Sequence, residues 1–137
     1  DRPLAQIGQI QSMRILARYL PFGITEIHTS DAVRCYETVA PMARSLSLNM
    51  IYWTELSEYA YEKDKRAAIN VVNDIIESEA HAIVCGHNPV IPGIVAKFIG
   101  KKNFKQLDHG LMPGEAFILH HRDGEIIAID WMPAPEA

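Results

Sequence analysis

The sequence predicts an α/β fold: a three-layer α/β/α sandwich with a mostly parallel sheet and a C-terminal antiparallel hairpin, its first strand missing from this chain. Three observations predict it. Segments with helical spacing of apolar residues alternate with short β-branched runs, which calls for parallel strands joined by helices. Ala82 to Cys85 is apolar throughout, as in a strand covered on both faces. Near the end, Arg122-Asp123-Gly124 separates two alternating stretches and signals a hairpin.

The elements follow in order. From Ile7 to Leu20, the residues Ile7, Ile10, Met13, Leu16, Ala17 and Leu20 fall at helical spacing, and Pro21 with Gly23 ends the segment. Ile24 to Thr29 reads as a strand, after which Ser30 or Asp31 can cap a helix from about Ala32 to Leu46. Its expected core face is Ala32, Tyr36, Val39, Ala40, Ala43 and Leu46, with a kink at Pro41. Asn49 to Trp53 reads as a strand, and Glu55 to Asp64 as a polar, tyrosine-bearing loop. A third helix over Lys65 to Glu77 turns Ala68, Val71, Val72, Ile75 and Ile76 inward. After the strand ending at Cys85, Pro89 suits the first position of a helix that runs to about Ile99 and is closed by Gly100. Ala116 to His121 and Glu125 to Trp131 form the hairpin.

A chain of 137 residues fits one domain. Thirteen Lys and Arg against seventeen Asp and Glu give a net charge of −4, without blocks of like charge. Nothing in that balance favours a nucleic-acid polymer or a polybasic membrane surface as partner. A small anionic ligand remains compatible with it, since a pocket needs only a few local cations. Cys35 and Cys85 lie far apart, which suits a reduced, cytoplasmic protein better than a disulfide scaffold. The longest apolar run, 90 to 99, is interrupted by Pro92 and Lys97 and falls short of the ~20 residues that span a bilayer.

In open α/β sheets, ligands sit beyond the carboxyl ends of the strands. Three places there carry chemistry. Ser30 and Arg34 follow the first strand, Glu55 to Tyr61 the second, and Gly86-His87-Asn88 the third. A cation with a planar donor fork, an acid and an imidazole would share one rim, next to a helix N-terminus that favours an anion. Arg34 could instead pair with Glu37 or Asp31, and Glu55 competes with Glu58 for the acid's role. The spacing of Cys and His offers no metal site, and no cofactor is expected.

Laid out this way, the chain resembles the histidine phosphatase superfamily, the phosphoglycerate-mutase-like proteins. Leu4-Ala5-Gln6-Ile7-Gly8-Gln9-Ile10-Gln11-Ser12 is similar to the family's Leu-Thr-x-x-Gly-x-x-Gln-Ala, with Ala5 and Ser12 departing from it. Ser30-Asp31-Ala32-Val33-Arg34-Cys35-Tyr36-Glu37-Thr38 resembles Ser-x-x-x-Arg-x-x-x-Thr, whose Arg binds phosphoryl oxygens. Leu56-Ser57-Glu58 resembles the Leu-x-Glu segment of the proton donor, which selects Glu58. Val84-Cys85-Gly86-His87-Asn88-Pro89 is similar to the stretch around the family's second histidine, and Gly114 to Leu119 to its late strand. The wording is closest to phosphohistidine-phosphatase-type domains and to those fused behind a Nudix (MutT-like) hydrolase domain.

The resemblance implies a phosphatase acting through a phosphohistidine intermediate on a small phosphomonoester, a nucleotide phosphate or phosphohistidine. His87, Arg34 and Glu58 would be catalytic, and Arg34, His87, Asn88 and Tyr61 would bind substrate. The family's nucleophilic histidine belongs to an Arg-His-Gly motif at the end of its first strand. None of His28, His81, His109, His120 or His121 stands in that context. The motif and its strand are therefore expected upstream of Asp1, as is a linked N-terminal Nudix domain. Two alternatives stand beside this reading: a catalytically silent module that binds phosphate or stabilises a partner domain, and a mutase, which the short segment from Leu56 to Asp64 disfavours.

Overall fold

A computed structural model describes residues 2–136. Among them β1 (Glu26–Ser30) is the centre of a parallel sheet of order β2-β1-β3, flanked by β2 (Met50–Trp53) and β3 (Ala82–Cys85). Pairing Ser30 with Trp53 and Thr29 with Cys85 ends all three strands at the same rim. Helices α1 (Gln6–Tyr19) and α2 (Val33–Leu46) cover one face, and α3 (Glu58–Lys63), α4 (Lys65–Glu77) and α5 (Val90–Ile99) the other. Alternation along β3 serves both cores: Ile83 and Cys85 pack with Ile15, Val39 and Met42, whereas Val84 packs with Leu56, Val72 and Val90. This is the α/β/α arrangement that the sequence predicts.

As the central strand, β1 buries polar side chains, and each has a partner. His28 Nε2–H donates to Glu26 Oε1 at 2.8 Å, while its Nδ1 accepts from Trp53 Nε1 at 2.9 Å. Thr29 donates to the Ser30 carbonyl at 2.8 Å. Pairing offsets the desolvation that would otherwise cost about 1–3 kcal/mol per group.

Three sequence expectations need correction. The α1 stripe of Ile7, Ile10 and Met13 is exposed, and the helix buries Ser12, Ile15 and Tyr19 instead. Apolar residues occur on several sides of this helix, so periodicity admits more than one inward face. In α2, Cys35, Pro41 and Met42 join Val39 and Ala43 in the buried face, whereas Tyr36 is only half-buried. The expected loop after β2 is mostly helical: a single 3-10 turn over Thr54–Leu56 leads into α3, whose N-cap Ser57 accepts from the Ala60 N–H at 3.1 Å. Gly100, with φ 88°, closes α5 at Ile99 as expected, and a further helix that the sequence does not predict, α6 (Lys101–Leu107), starts at once.

The hairpin pairs β4 (Ala116–Arg122) with β5 (Glu125–Met132), with positive φ at both Asp123 and Gly124, as a tight right-twisted turn requires. It is not hydrogen-bonded to the parallel sheet. Ala116, Ile118 and Met132 nevertheless pack on the same cluster as Ile83 and Cys85. Polar ties fix it at both ends: Gln11 donates to the Pro135 carbonyl at 3.2 Å, Arg18 to that of Pro133, and Glu79 accepts from the Asp123 N–H at 2.8 Å.

Candidate active site

The rim at the ends of β1, β2 and β3 brings together Arg34, Glu58 and His87. Arg34 stands in the first turn of α2, Glu58 opens α3, and His87 lies between β3 and α5. Arg34 Nη2 is 3.3 Å from His87 Nδ1 and 3.6 Å from Glu58 Oε1, and Glu58 Oε1 is 3.5 Å from His87 Nδ1. Glu37, an expected alternative partner of Arg34, and Glu55, the acid that competes with Glu58, are engaged elsewhere. Glu37 accepts from the Leu4 N–H at 3.2 Å, and Glu55 accepts from Thr54 Oγ1 at 3.2 Å.

Local chemistry holds each member in place. His87 is buried, and its carbonyl accepts the first N–H bonds of α5, from Val90 at 3.1 Å and Ile91 at 2.9 Å. Its Nε2 meets Ser30 Oγ at 2.9 Å, and that oxygen also accepts from the Ala32 N–H at 3.3 Å. With Arg34 donating to Nδ1, Nε2 carries the proton and donates to Ser30, so the ring's other edge faces the rim. Gly86 keeps the turn close: a Cβ there would lie 3.0 Å from Ile91 Cδ1. Thr38, one turn beyond Arg34, donates back to the Arg34 carbonyl at 2.7 Å. Arg34 and Glu58 remain partly open to solvent, at 39% and 53% of their side-chain surface. A ligand can therefore reach the charged groups, while the imidazole is fixed from behind.

This arrangement can hold a tetrahedral anion. The N-terminal ends of α2 and α5 flank the rim, Arg34 supplies a planar fork of donors, and His87 Nδ1 supplies a further donor when the ring carries its second proton. Glu58 stands where it could exchange a proton with a departing or attacking oxygen. Among the described residues, no group of His, Cys, Asp and Glu could hold a metal ion.

The remaining sequence candidates sit differently. Asn88 is exposed at the entrance to α5. Tyr61 is buried in the core with Leu56, Ala68, Val90 and Ile94, its hydroxyl against Gly93. Packing is its evident role. Ser30, which the sequence places at the rim without a role of its own, holds the imidazole of His87 from behind. The other histidines are occupied elsewhere. His28 lies within β1, His81 meets the Phe22 carbonyl, His109 stacks on Trp131, His120 pairs with Asp130, and His121 meets the Ala80 carbonyl.

Comparison with known proteins points to the same fold. An 8-oxo-(d)GTP phosphatase of Mycolicibacterium smegmatis is 28% identical over 135 residues, which is 98% of this chain and 42% of that protein. The chain thus spans less than half the length of this relative. A mycobacterial glucosyl-3-phosphoglycerate phosphatase, solved with VO3, matches with a TM-score of 0.72 at 16% identity, covering 100% of this chain and 88% of the other. A structure from Agrobacterium tumefaciens assigned as the phosphohistidine phosphatase SixA gives 0.66 at 19% identity, covering 98% and 84%. At these identities the two structures speak for the fold. The family model for the histidine phosphatase superfamily (branch 1) matches residues 1–67, the part that carries Arg34 and Glu58. The sequence match over residues 1–67 and the fold thus make this chain similar to the histidine phosphatase superfamily.

Proposed function

We propose that the protein is a phosphoric monoester hydrolase that works through a phosphohistidine intermediate, with a nucleotide phosphate as the first substrate class to test. The convergence of Arg34, Glu58 and His87 within 3.3 to 3.6 Å carries this reading. In the first step a histidine, supplied by sequence upstream of Asp1, attacks phosphorus while the bond to the leaving oxygen breaks. Glu58 gives that oxygen its proton. Arg34, and His87 with a second proton on its Nδ1, stabilise the charge spread over the equatorial oxygens. Water, losing a proton to Glu58, then displaces the histidine and releases inorganic phosphate. The nucleotide preference takes its support from the name of the M. smegmatis relative; a covalently linked N-terminal Nudix domain as partner rests on the sequence resemblance, and a relative of which this chain covers 42% has room for one. Phosphohistidine and small phosphomonoesters are the other substrates to compare. The free thiols Cys35 and Cys85 fit a cytoplasmic setting, and no described helix is long and apolar enough to cross a membrane.

Full-length protein should hydrolyse an aryl phosphate, be inhibited by vanadate and trap a phosphohistidine. Normal turnover by Arg34→Ala or His87→Ala would refute the assignment. A silent phosphate-binding module is favoured by one observation: no second histidine reaches the rim among the described residues. Calorimetric phosphate binding by full-length protein without turnover of any phosphoester would establish that reading instead.

A further inference from the structure

Beneath the rim lie two thiols for which the proposed reaction has no use. Cys35 follows Arg34 directly, and Cys85 precedes the Gly86-His87 turn. Cys35 is 4% exposed; its Sγ donates to the Gly86 carbonyl at 3.6 Å and lies 3.8 Å from His87 Nε2. Cys85 packs with Ile83 on the face of the sheet that α2 covers, the same face into which α2 buries Cys35. The thiols thus meet at the α2–β3 interface, and both are free.

We propose that Cys35 and Cys85 form a redox-modification site, at which a peroxide closes a disulfide that disables the phosphate rim. The loss of hydrolysis rests on the phosphatase reading above; the disulfide itself does not. Cys35 sulfur attacks hydrogen peroxide: an S–O bond forms, the O–O bond breaks, and the departing hydroxide takes a proton to become water. Cys85 sulfur then attacks the sulfenic sulfur. An S–S bond forms, the S–O bond breaks, and hydroxide leaves as a second water with the thiol's proton. The two sulfurs lose two electrons in all, and the peroxide gains them.

Position and charge assign the order: Cys35 Sγ lies against the rim's imidazole, 3.8 Å from His87 Nε2. The Cys85 S–H donates to Cys35, and His87 and Arg34 add to its effect; against the opposing effect of burial they push the Cys35 thiol down to about 5. The Cys35 sulfur and burial push Cys85 up. Cys35 is thus the sulfur that attacks as thiolate, and Cys85 the one that resolves. A disulfide needs its sulfurs about 2.05 Å apart, far closer than two thiols in hydrogen-bond contact. Closing that gap draws the first turn of α2 towards the end of β3. Arg34 and His87 ride on those two segments, and a displacement of about 1 Å in such groups lowers turnover about 100-fold.

The experiment treats full-length protein with hydrogen peroxide, blocks remaining thiols with N-ethylmaleimide and maps peptides by mass spectrometry. Aryl phosphate hydrolysis and calorimetric binding of inorganic phosphate are measured in parallel. A Cys35–Cys85 linked peptide, an about 100-fold fall in turnover, and recovery with dithiothreitol are expected. Cys85→Ala should give no linked peptide and no dithiothreitol-reversible loss. Absence of the linked peptide from oxidised wild type overturns the site, as does an equal reversible loss in Cys85→Ala. A linked peptide with unchanged phosphate binding and turnover overturns its control of the rim. If untreated protein hydrolyses nothing, the phosphatase reading fails, while the linked peptide and the change in phosphate binding still decide this one.

Discussion

Replacing Gly93 with Ala sets helix propensity against packing, and the geometry says which wins. In the interior of α5, Ala in place of Gly should gain about 1 kcal/mol. A Cβ at position 93, however, would fall 2.1 Å from Tyr61 Oη and 3.1 Å from Tyr61 Cζ. The ring is 8% exposed and lies among Leu56, Ala68, Val90 and Ile94, so it cannot swing aside without disturbing the core. Overpacking of this kind costs about 1–3 kcal/mol. Because the clash is with an atom at less than bonding-free distance, the upper part of that range applies, and the net result is a loss of about 1–2 kcal/mol. Tyr61→Phe removes the hydroxyl and leaves a contact that a shift of a few tenths of an ångström relieves. Gly93→Ala with Tyr61→Phe should therefore recover most of the loss, with a coupling of about 1 kcal/mol or more. Urea unfolding of full-length protein, followed by the fluorescence of Trp53 and Trp131, measures all four corners of the cycle. A Gly93→Ala variant as stable as wild type, or a cycle without coupling, would refute the reasoning. The same cycle tests Tyr61 as a substrate contact: packing predicts an unchanged KM for Tyr61→Phe, whereas substrate binding predicts a raised one.

Further outcomes follow from the rim and from β1. Ser30→Ala removes the acceptor for His87 Nε2 and leaves a buried N–H unpaired; a loss of about 1–3 kcal/mol in stability should accompany lower kcat, measured by melting and aryl phosphate hydrolysis. Arg34→Lys keeps the charge but loses the planar fork, so kcat/KM should fall about 100-fold, and wild-type turnover would contradict the role given to the guanidinium. Trp53→Phe removes the donor to His28 Nδ1 and should destabilise by about 1–3 kcal/mol without selectively lowering kcat. Residues 1–137 alone leave one edge of β3 without a hydrogen-bonded neighbour and should aggregate; a cooperative, reversible melt of that isolated piece would contradict this.

Legibility in the sequence tracks the physical cause at each place. Strand β3 and helix α4 are readable to the residue because their apolar patterns have a single solution: a run with no polar member, and five inward residues at one spacing. Helix α1 is not, because Ile7, Ile10 and Met13 compete with Ile15 and Tyr19 for the inward face, and only the presence of α2 decides. The helical turn of α3 was hidden by tyrosines and acids that look like loop, although Ser57 before Glu58 is an N-cap signal. At the rim, residue types and positions after strands pointed to Arg34 and His87, and resemblance chose Glu58 over Glu55. What no one-dimensional pattern could give was the reverse side of the site. Ser30 and Cys35 lie against His87 only because β1 and β3 pair in one register.

That register has a kinetic consequence. The rim has no element of its own; Ser30, Arg34, Glu58 and His87 come from segments spread over more than a third of the chain, and parallel pairing alone brings them side by side. A slip of one residue between β1 and β3 would carry Ser30 about 3.3 Å along the strand and turn its side chain to the opposite face. Partly folded forms with native helices would thus lack phosphate affinity altogether. During refolding, helical signal should return before vanadate binding, because the long-range closure of β1 on β3 must be completed before the site exists.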